Sequence, residues 1–375
     1  MKFKSYLLSV LFLLFSGVFT KTQAQDIHFS QYYASPLTLN PALVGKFNGE
    51  WRVGAIYRSQ WAPVDKPLFM TPEAFLDFSL LKGKLKKDAL GVGISVYTDR
   101  QNRGSFVWYY PSISLAYHKG IGRNNGTQIS LGFQAAYCMK QLSFAKMQFA
   151  DGFSLVVDRY EYGTSADANN LNPNVNYFDM NAGLFVNTRV AKIATLYGGL
   201  SWLHLGTPEE KFSRSGNSID IPWRIVVHGG AEIEAHPKVL VIPGLLYQRQ
   251  AKAQEINFGA TIGYHIKSYD NNDKASVFAG LWNRLTPNYV SADKTKWGEE
   301  SLIPKIGFEI KRFRFGAALD VPLSSITKTK DGEVAGTGLA ASYKGNRPLA
   351  FEISLNYIGR IYQPKEDLYL FNPRF

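Results

Sequence analysis

The stretch "EINFGATIGYHI" (residues 255–266) alternates without a break. Ile256, Phe258, Ala260, Ile262, Tyr264 and Ile266 fall on one side, and Glu255, Asn257, Gly259, Thr261, Gly263 and His265 on the other. A side-chain period of two is that of a β-strand with one greasy face and one wet or tiny face. Two further stretches repeat it. In 128–138, Ile129, Leu131, Phe133, Ala135 and Tyr137 alternate with Gln128, Ser130, Gly132, Gln134, Ala136 and Cys138. In 312–321, Phe313, Phe315, Ala317, Leu319 and Val321 alternate with Arg312, Arg314, Gly316, Ala318 and Asp320.

Two architectures use such strands. A soluble sandwich packs its apolar faces inward, whereas an outer-membrane barrel turns them to lipid and lines its lumen with the polar ones. Three features select the barrel. The strands run about ten residues or more, enough to cross a membrane at a tilt. Their apolar faces end in aromatics (Tyr57, Tyr109, Tyr117, Tyr137, Tyr264, Tyr357), as interfacial girdles do. Their polar faces carry Gly, Ser, Asn and Gln rather than the Lys and Glu of a solvated surface. The chain therefore reads as all-β, a transmembrane antiparallel β-barrel.

The candidate strands are 50–60, 72–81, 88–98, 105–118, 127–139, 177–188, 193–204, 222–234, 238–248, 254–266, 275–284, 300–310, 312–321 and 347–357, about 14 in all. A weaker one, at 336–345, is set aside because single-chain bacterial barrels have even strand numbers. The connections agree. Every second one, beginning with 82–87, is short, while 61–71, 140–176, 205–221, 285–299 and 322–346 are long and 249–253 is an exception. By the usual rule the short set, with both termini, is periplasmic.

Residues 1–24 read as a signal peptide. Lys2 and Lys4 precede the apolar run Tyr6–Phe19, too short for a bilayer, and Thr22-Gln23-Ala24 offers a cleavage site. Four units follow: the signal (1–24), an irregular N-terminal segment (25–49), the barrel (50–357) and a C-terminal tail (358–375). Removing the signal takes three lysines and no acid from a formal charge of +12. The remaining basic residues are scattered singly, "KGKLKK" (82–87) being the densest group, so nucleic acid is not the expected partner. Anionic headgroups of outer-membrane lipid or an acidic partner suit the charge better. Cys138 is the single cysteine, so no disulfide framework exists.

The segment "QDIHFSQYYASPLTLNPALVG" (25–45) is neither strand nor long helix. A barrel of about 14 strands is wider than side chains alone fill, and irregular backbone at membrane depth is tolerated only inside protein or a wet cavity. The segment is therefore read as a plug of the lumen, against the alternative of a leader hanging in the periplasm. Asn40-Pro41 has the form of an N-cap followed by proline, and Gly45 can end the turn.

The same stretch resembles the opening of the PorP/SprF family of type IX secretion system membrane proteins. The matching residues are Asp26, Phe29, Ser30, Gln31, Tyr32, Pro36, Leu37, Asn40, Pro41, Ala42 and Gly45. The likeness continues through "YRSQW", "LGVGISVYTD", "YFDMNAGLFV", "LIPKIGFEIKRFRFGAALDVPLS", "FEISLNYIGR" and a final "NPRF". It implies an outer-membrane barrel of the type IX secretion and gliding machinery. The implied partners are a secreted surface adhesin or other type IX cargo protein, held at the cell surface, or periplasmic secretion-system components. It implies neither an enzyme nor a cofactor. The alternatives are a channel or hydrophobic-solute transporter gated by the segment, and a structural subunit of the secretion complex.

The residues themselves offer little chemistry. The six histidines show no metal-ligand spacing, and no GxSxG or phosphate loop occurs. Partner- or plug-binding candidates are Phe29, Ser30, Gln31, Tyr32, Pro36, Asn40 and Pro41 in the segment. In the aromatic connection 149–177, Phe153, Tyr160 and Tyr162 are candidate anchors, the alternative being a self-packed lid. Arg52, Arg58, Glu73, Asp77, Asp179, Glu255, Arg312, Arg314, Asp320 and Glu352 are expected to face the lumen.

Overall fold

A computed structural model describes residues 26–61, 69–85, 87–122, 126–147, 149–154, 159–161, 165, 167–191, 193–267, 275–291, 294–323, 349–360 and 370–374. The signal peptide, Tyr162, the 336–345 candidate and most of the connection 322–346 lie outside the described residues. No helix among the described residues is long and apolar enough to cross a membrane; the chain crosses with strands.

Fourteen antiparallel strands close into a barrel. They are β1 (Trp51–Gln60), β2 (Phe69–Leu85), β3 (Asp88–Gln101), β4 (Phe106–Ile121), β5 (Thr127–Leu142), β6 (Asn174–Ala191) and β7 (Ala194–Leu203). The circuit continues through β8 (Arg224–His236), β9 (Val239–Gln250), β10 (Ala253–Lys267), β11 (Ala275–Ser291), β12 (Lys294–Ile310), β13 (Phe313–Pro322) and β14 (Ala350–Gly359). Each strand pairs with its sequence neighbours, and β1 pairs with β14 from Trp51↔Gly359 to Gln60↔Ala350 to close the ring. No sheet edge remains, as a span through lipid requires. Every expected strand is present, several extended beyond the membrane-crossing part.

The alternation is inside out relative to a soluble protein. On β5, Leu131 is 60% and Phe133 47% exposed, while Gln128, Ser130 and Gln134 are buried. Ile113, Ile262 and Ile306 are likewise exposed on their strands, and Ser114, Thr261 and Lys305 are buried. The apolar side chains face lipid, and the polar ones face a filled interior.

Residues 26–47 fill much of that interior. They form a 3-10 turn (Tyr32–Ala34), one α-turn (Pro36–Leu39) and a 3-10 turn (Pro41–Leu43). The Asn40 side chain accepts from the Ala42 amide at 2.9 Å and Pro41 starts the turn, as expected of Asn-Pro. Gly45 follows at φ +70°, where only glycine is at ease. Helical turns suit this place because they satisfy part of the backbone internally.

The segment runs the full height of the barrel. Asp26 bonds to His204 and Gln250, beside the long connections, whereas Gly45 and Lys46 bond to Asp77 and Gln128 toward the short turns. The chain then enters β1 at the short-turn end. Residues 370–374 also lie at that end: Phe371 packs 5.1 Å from the Tyr197 ring, and Asn372 accepts from Arg52. Asp26 and Arg374 thus lie at opposite mouths. A segment threaded through the lumen starts at the mouth opposite to β1.

The wall is thinned to glycine where the segment's backbone passes. A Cβ on Gly132 would sit 2.3 Å from Ala42 N, one on Gly91 2.0 Å from Val44 O, and one on Gly183 1.9 Å from the Asn40 side chain. Gly132→Leu should therefore leave the ring closed but displace the segment, costing about 1–3 kcal/mol by overpacking. Trypsin reads this directly, because the buried Lys46 becomes a cleavage site. Gly126→Ala, with nothing within 4 Å, should change neither stability nor cleavage.

Candidate functional site: the occupied lumen and its loop mouth

Ser30 sits at the centre of a buried ionic cluster drawn from β1, β10, β11, β12, β13 and β14. Its hydroxyl donates to Asp320 (2.7 Å) and accepts from Arg58 (3.0 Å) and Arg284 (2.5 Å). Its amide donates to Glu352 at 2.7 Å, the Gln31 amide to the other Glu352 oxygen at 2.8 Å, and Lys305 Nζ donates to the Ser30 carbonyl at 2.6 Å. Arg58 pairs with Asp320 and Glu352, and Arg284 with Asp320 (2.9 Å) and Glu255 (3.3 Å). Three cations thus face four carboxylates around one serine, the partly exposed Glu300 standing 3.9 Å from Arg284. Gln31 also accepts from Ser354 at 2.9 Å.

Lower down, Tyr32 stands edge-on to Trp282, and the Tyr33 hydroxyl lies 3.0 Å from His228 Nδ1. Asn40 reaches the other nitrogen of that ring (3.1 Å) and donates to the Leu184 carbonyl. Phe29 and Pro36 are buried with them, and Pro41 lies against Gly132. Arg52 forks onto Asp77, at 3.0 and 2.7 Å, and also donates to the Leu43 carbonyl. The seven candidates of the segment are therefore all brought into one lumenal assembly. The cavity beside it, bordered by His28, Tyr97, Tyr110 and Gln134, leaves about 50 Å³ for the centres of water-sized molecules.

At the loop mouth Asp26 lies between His204 Nε2 (2.5 Å) and Arg224 (3.8 Å), and Gln250 brackets its amide and carboxylate. His204 Nδ1 stands 2.7 Å from Asp179. Burial opposes charge on His204, but the two carboxylates outweigh it and raise its pKa to about 10. Burial likewise opposes ionisation of Asp26, and His204 and Arg224 outweigh it, holding the carboxyl below its usual range.

Phe153 is 39% exposed in a short hairpin in which it pairs with Tyr160. The connection that holds it joins the one after β7, where Leu171 bridges Ser213, and the ends of β5 and β4 meet that second connection through Lys140–Glu210 and Phe106–Phe212. At this mouth the connections pack on one another and leave Phe153 exposed.

Sequence reasoning passed over three of the histidines. His118 donates to the Val44 carbonyl at 2.8 Å, His204 holds Asp26, and His228 holds Tyr33 and Asn40. The signal was present for His118 and His228, which share the inward phase of their strands. Of the residues expected to face the lumen, Arg312 lies instead in the turn between β12 and β13.

The family model for type IX secretion system membrane protein PorP/SprF matches residues 21–335. The chain belongs to the PorP/SprF family. No curated protein matches the PorP/SprF chain described here. Among solved structures it is similar to the Pseudomonas putida toluene transporter TodX, at 11% identity and TM-score 0.46, with 90% of this chain and 99% of that one covered. It is also similar to the CymD monoaromatic hydrocarbon channel (11%, TM-score 0.46, 88% and 94%) and to CdiB from Acinetobacter baumannii (10%, 0.40, 82% and 59%).

Two predictions follow from the lumenal contacts. Arg58→Leu takes the guanidinium from Glu352 and one of two from Asp320 and should cost about 3–5 kcal/mol in thermal unfolding, whereas Ser30→Ala should cost about 1–3 kcal/mol. The mouth contact should be alkali-labile. A base with a raised folded pKa adds stability that is whole below its unfolded value of 6.5 and is lost as pH rises through about 10. Asp26, shifted down, loses its contribution only in acid below 3.8. Labelling of Ile27→Cys by an impermeant thiol reagent should thus be slow at neutral pH and quicken above pH 10; a flat profile contradicts the assignment.

Proposed function

We propose that this protein is a non-enzymatic outer-membrane barrel of the type IX secretion machinery that binds an exported cell-surface protein and anchors it. In this reading residues 26–47 are a resident plug, the short turns face the periplasm, and the partner engages the loop mouth. The observation that carries the reading is the occupied lumen. The buried acids and bases that would line a solute path are engaged with one another and with Ser30, Gln31, Gly45 and Asp26. A sealed barrel keeps its working surface outside the membrane, on loops and ends. Phe153, Tyr160 and Tyr162 of the connection 149–177 are the anchor residues proposed for that partner.

The test is purification of the tagged protein from its native outer membrane in mild detergent, with co-purifying chains identified by mass spectrometry. A near-stoichiometric exported surface protein, lost from a variant lacking 149–165, is expected. A solitary barrel contradicts anchoring, and periplasmic components alone transfer the protein to a structural role in the complex. The plug is tested separately in planar bilayers. The intact protein should be close to silent, and deletion of residues 26–45 should open an ion-conducting pore; a silent deletion variant contradicts the seal and leaves partner binding standing.

A further inference from the structure

Among the described residues, the two rims of the barrel are charged differently. Around the short-turn end, Lys87 follows β2, Lys119 lies near the end of β4, Arg189 near the end of β6, Lys238 in the turn before β9 and Lys311 in the turn after β12. Lys119, Arg189, Lys238 and Lys311 are exposed, the Lys119 side chain to 60%. Asp88 accepts from the Tyr117 hydroxyl and offsets part of the Lys119 charge at 3.6 Å, while Glu232 and Glu309 face Arg374. Glu234 is exposed and offsets part of the charge. At the loop end, by contrast, exposed Lys211, Arg214, Arg249 and Lys252 are interspersed with exposed Asp151, Glu161, Glu209 and Asp220.

The position of these cations relative to the apolar band suggests their ligand. Leu85, Ile121, Val190, Ile193, Ile266 and Ile310 are 40–56% exposed at the same ends of the same strands or their immediate neighbours. The lipid-facing surface therefore continues to the rim, and the basic side chains begin where it stops. That is the depth of lipid phosphates, where Lys and Arg stems lie on apolar surface and their heads meet the headgroups. An acidic protein would instead favour a compact patch on one sector, whereas these residues occupy five turns distributed around the ring.

We propose that the short-turn rim is a binding belt for anionic phospholipid headgroups, of the phosphatidylglycerol type, in the leaflet that it faces. The belt fixes the vertical position of the barrel and selects the lipid around it. It requires no protein partner, so its test is independent of the anchoring reading.

The experiment uses the full mature protein in nanodiscs of phosphatidylcholine with one-fifth phosphatidylglycerol, and measures the lipids retained after gentle extraction by native mass spectrometry. Phosphatidylglycerol should be enriched several-fold over its share in the disc. The enrichment should fall with added salt, since exposed charges are screened. Combined Lys87→Glu, Lys119→Glu, Arg189→Glu, Lys238→Glu and Lys311→Glu should abolish it, while Lys→Arg at the four lysines should keep it. Heat-modifiable gel mobility reports whether the reversed barrel is folded. If it is not, the pair Lys119→Glu and Lys238→Glu serves, and should lose a substantial part of the enrichment. Retention in proportion to the disc composition, or enrichment unchanged by reversal, overturns the proposal. Loss of a co-purifying acidic protein from the reversed variant, without any lipid preference, overturns it in favour of a protein-facing rim.

Discussion

A peptide segment inside a membrane barrel has no bulk water to satisfy its backbone, so each amide and carbonyl needs a partner from the wall or from itself. The ionic cluster around Ser30 meets that demand at its most concentrated point. The Ser30 and Gln31 amides meet the two oxygens of one carboxylate, and the Ser30 carbonyl meets a lysine. Removing any one charge leaves the others buried without balance, which makes the arrangement rigid rather than merely favourable. The wall around it follows the same constraint. It is charged where the segment presents unpaired backbone, and reduced to glycine where Pro41–Ala42 and Val44–Gly45 press against it.

The strands were legible because their pattern is set by two solvents. A period of two, with lipid on one side, puts Leu131 and Phe133 outward and Gln128, Ser130 and Gln134 inward whatever the lumen contains, so the number of strands and the loop pattern could be read from residue order. The Asn40-Pro41 turn was legible for a local reason, since cap and proline act within three residues. The ionic cluster was legible only in part. Arg58, Asp320 and Glu352 were expected to face inward, but their meeting at Ser30 depends on pairings about 290 to 320 residues apart. Arg284 and Lys305 were not singled out, nor was the role of His204, which lies just past the end of β7 and shows its purpose only beside Asp26.

The path of the segment bears on function as much as its seating does. Because it spans the lumen, the first described residue lies among the long connections while residues 370–374 lie among the short turns. One mouth carries the start of the segment, the joined connections and the Phe153 hairpin. The other carries Phe371, Asn372 and Arg374 inside a basic rim. The barrel thus separates a loop face from a turn face, with a filled interior between them.

The central claim is that the N-terminal segment crosses the lumen from the loop mouth to the turn mouth. Electron paramagnetic distance measurement between spin labels on Ile27→Cys and Lys238→Cys in reconstituted protein tests it most directly, with the native Cys138 fully buried. A single narrow distribution on the order of 40 Å, the length of β8 at about 3.3 Å per residue, is predicted. A distance of a few nanometres less, or a broad spread typical of an untethered leader below the barrel, would contradict the account.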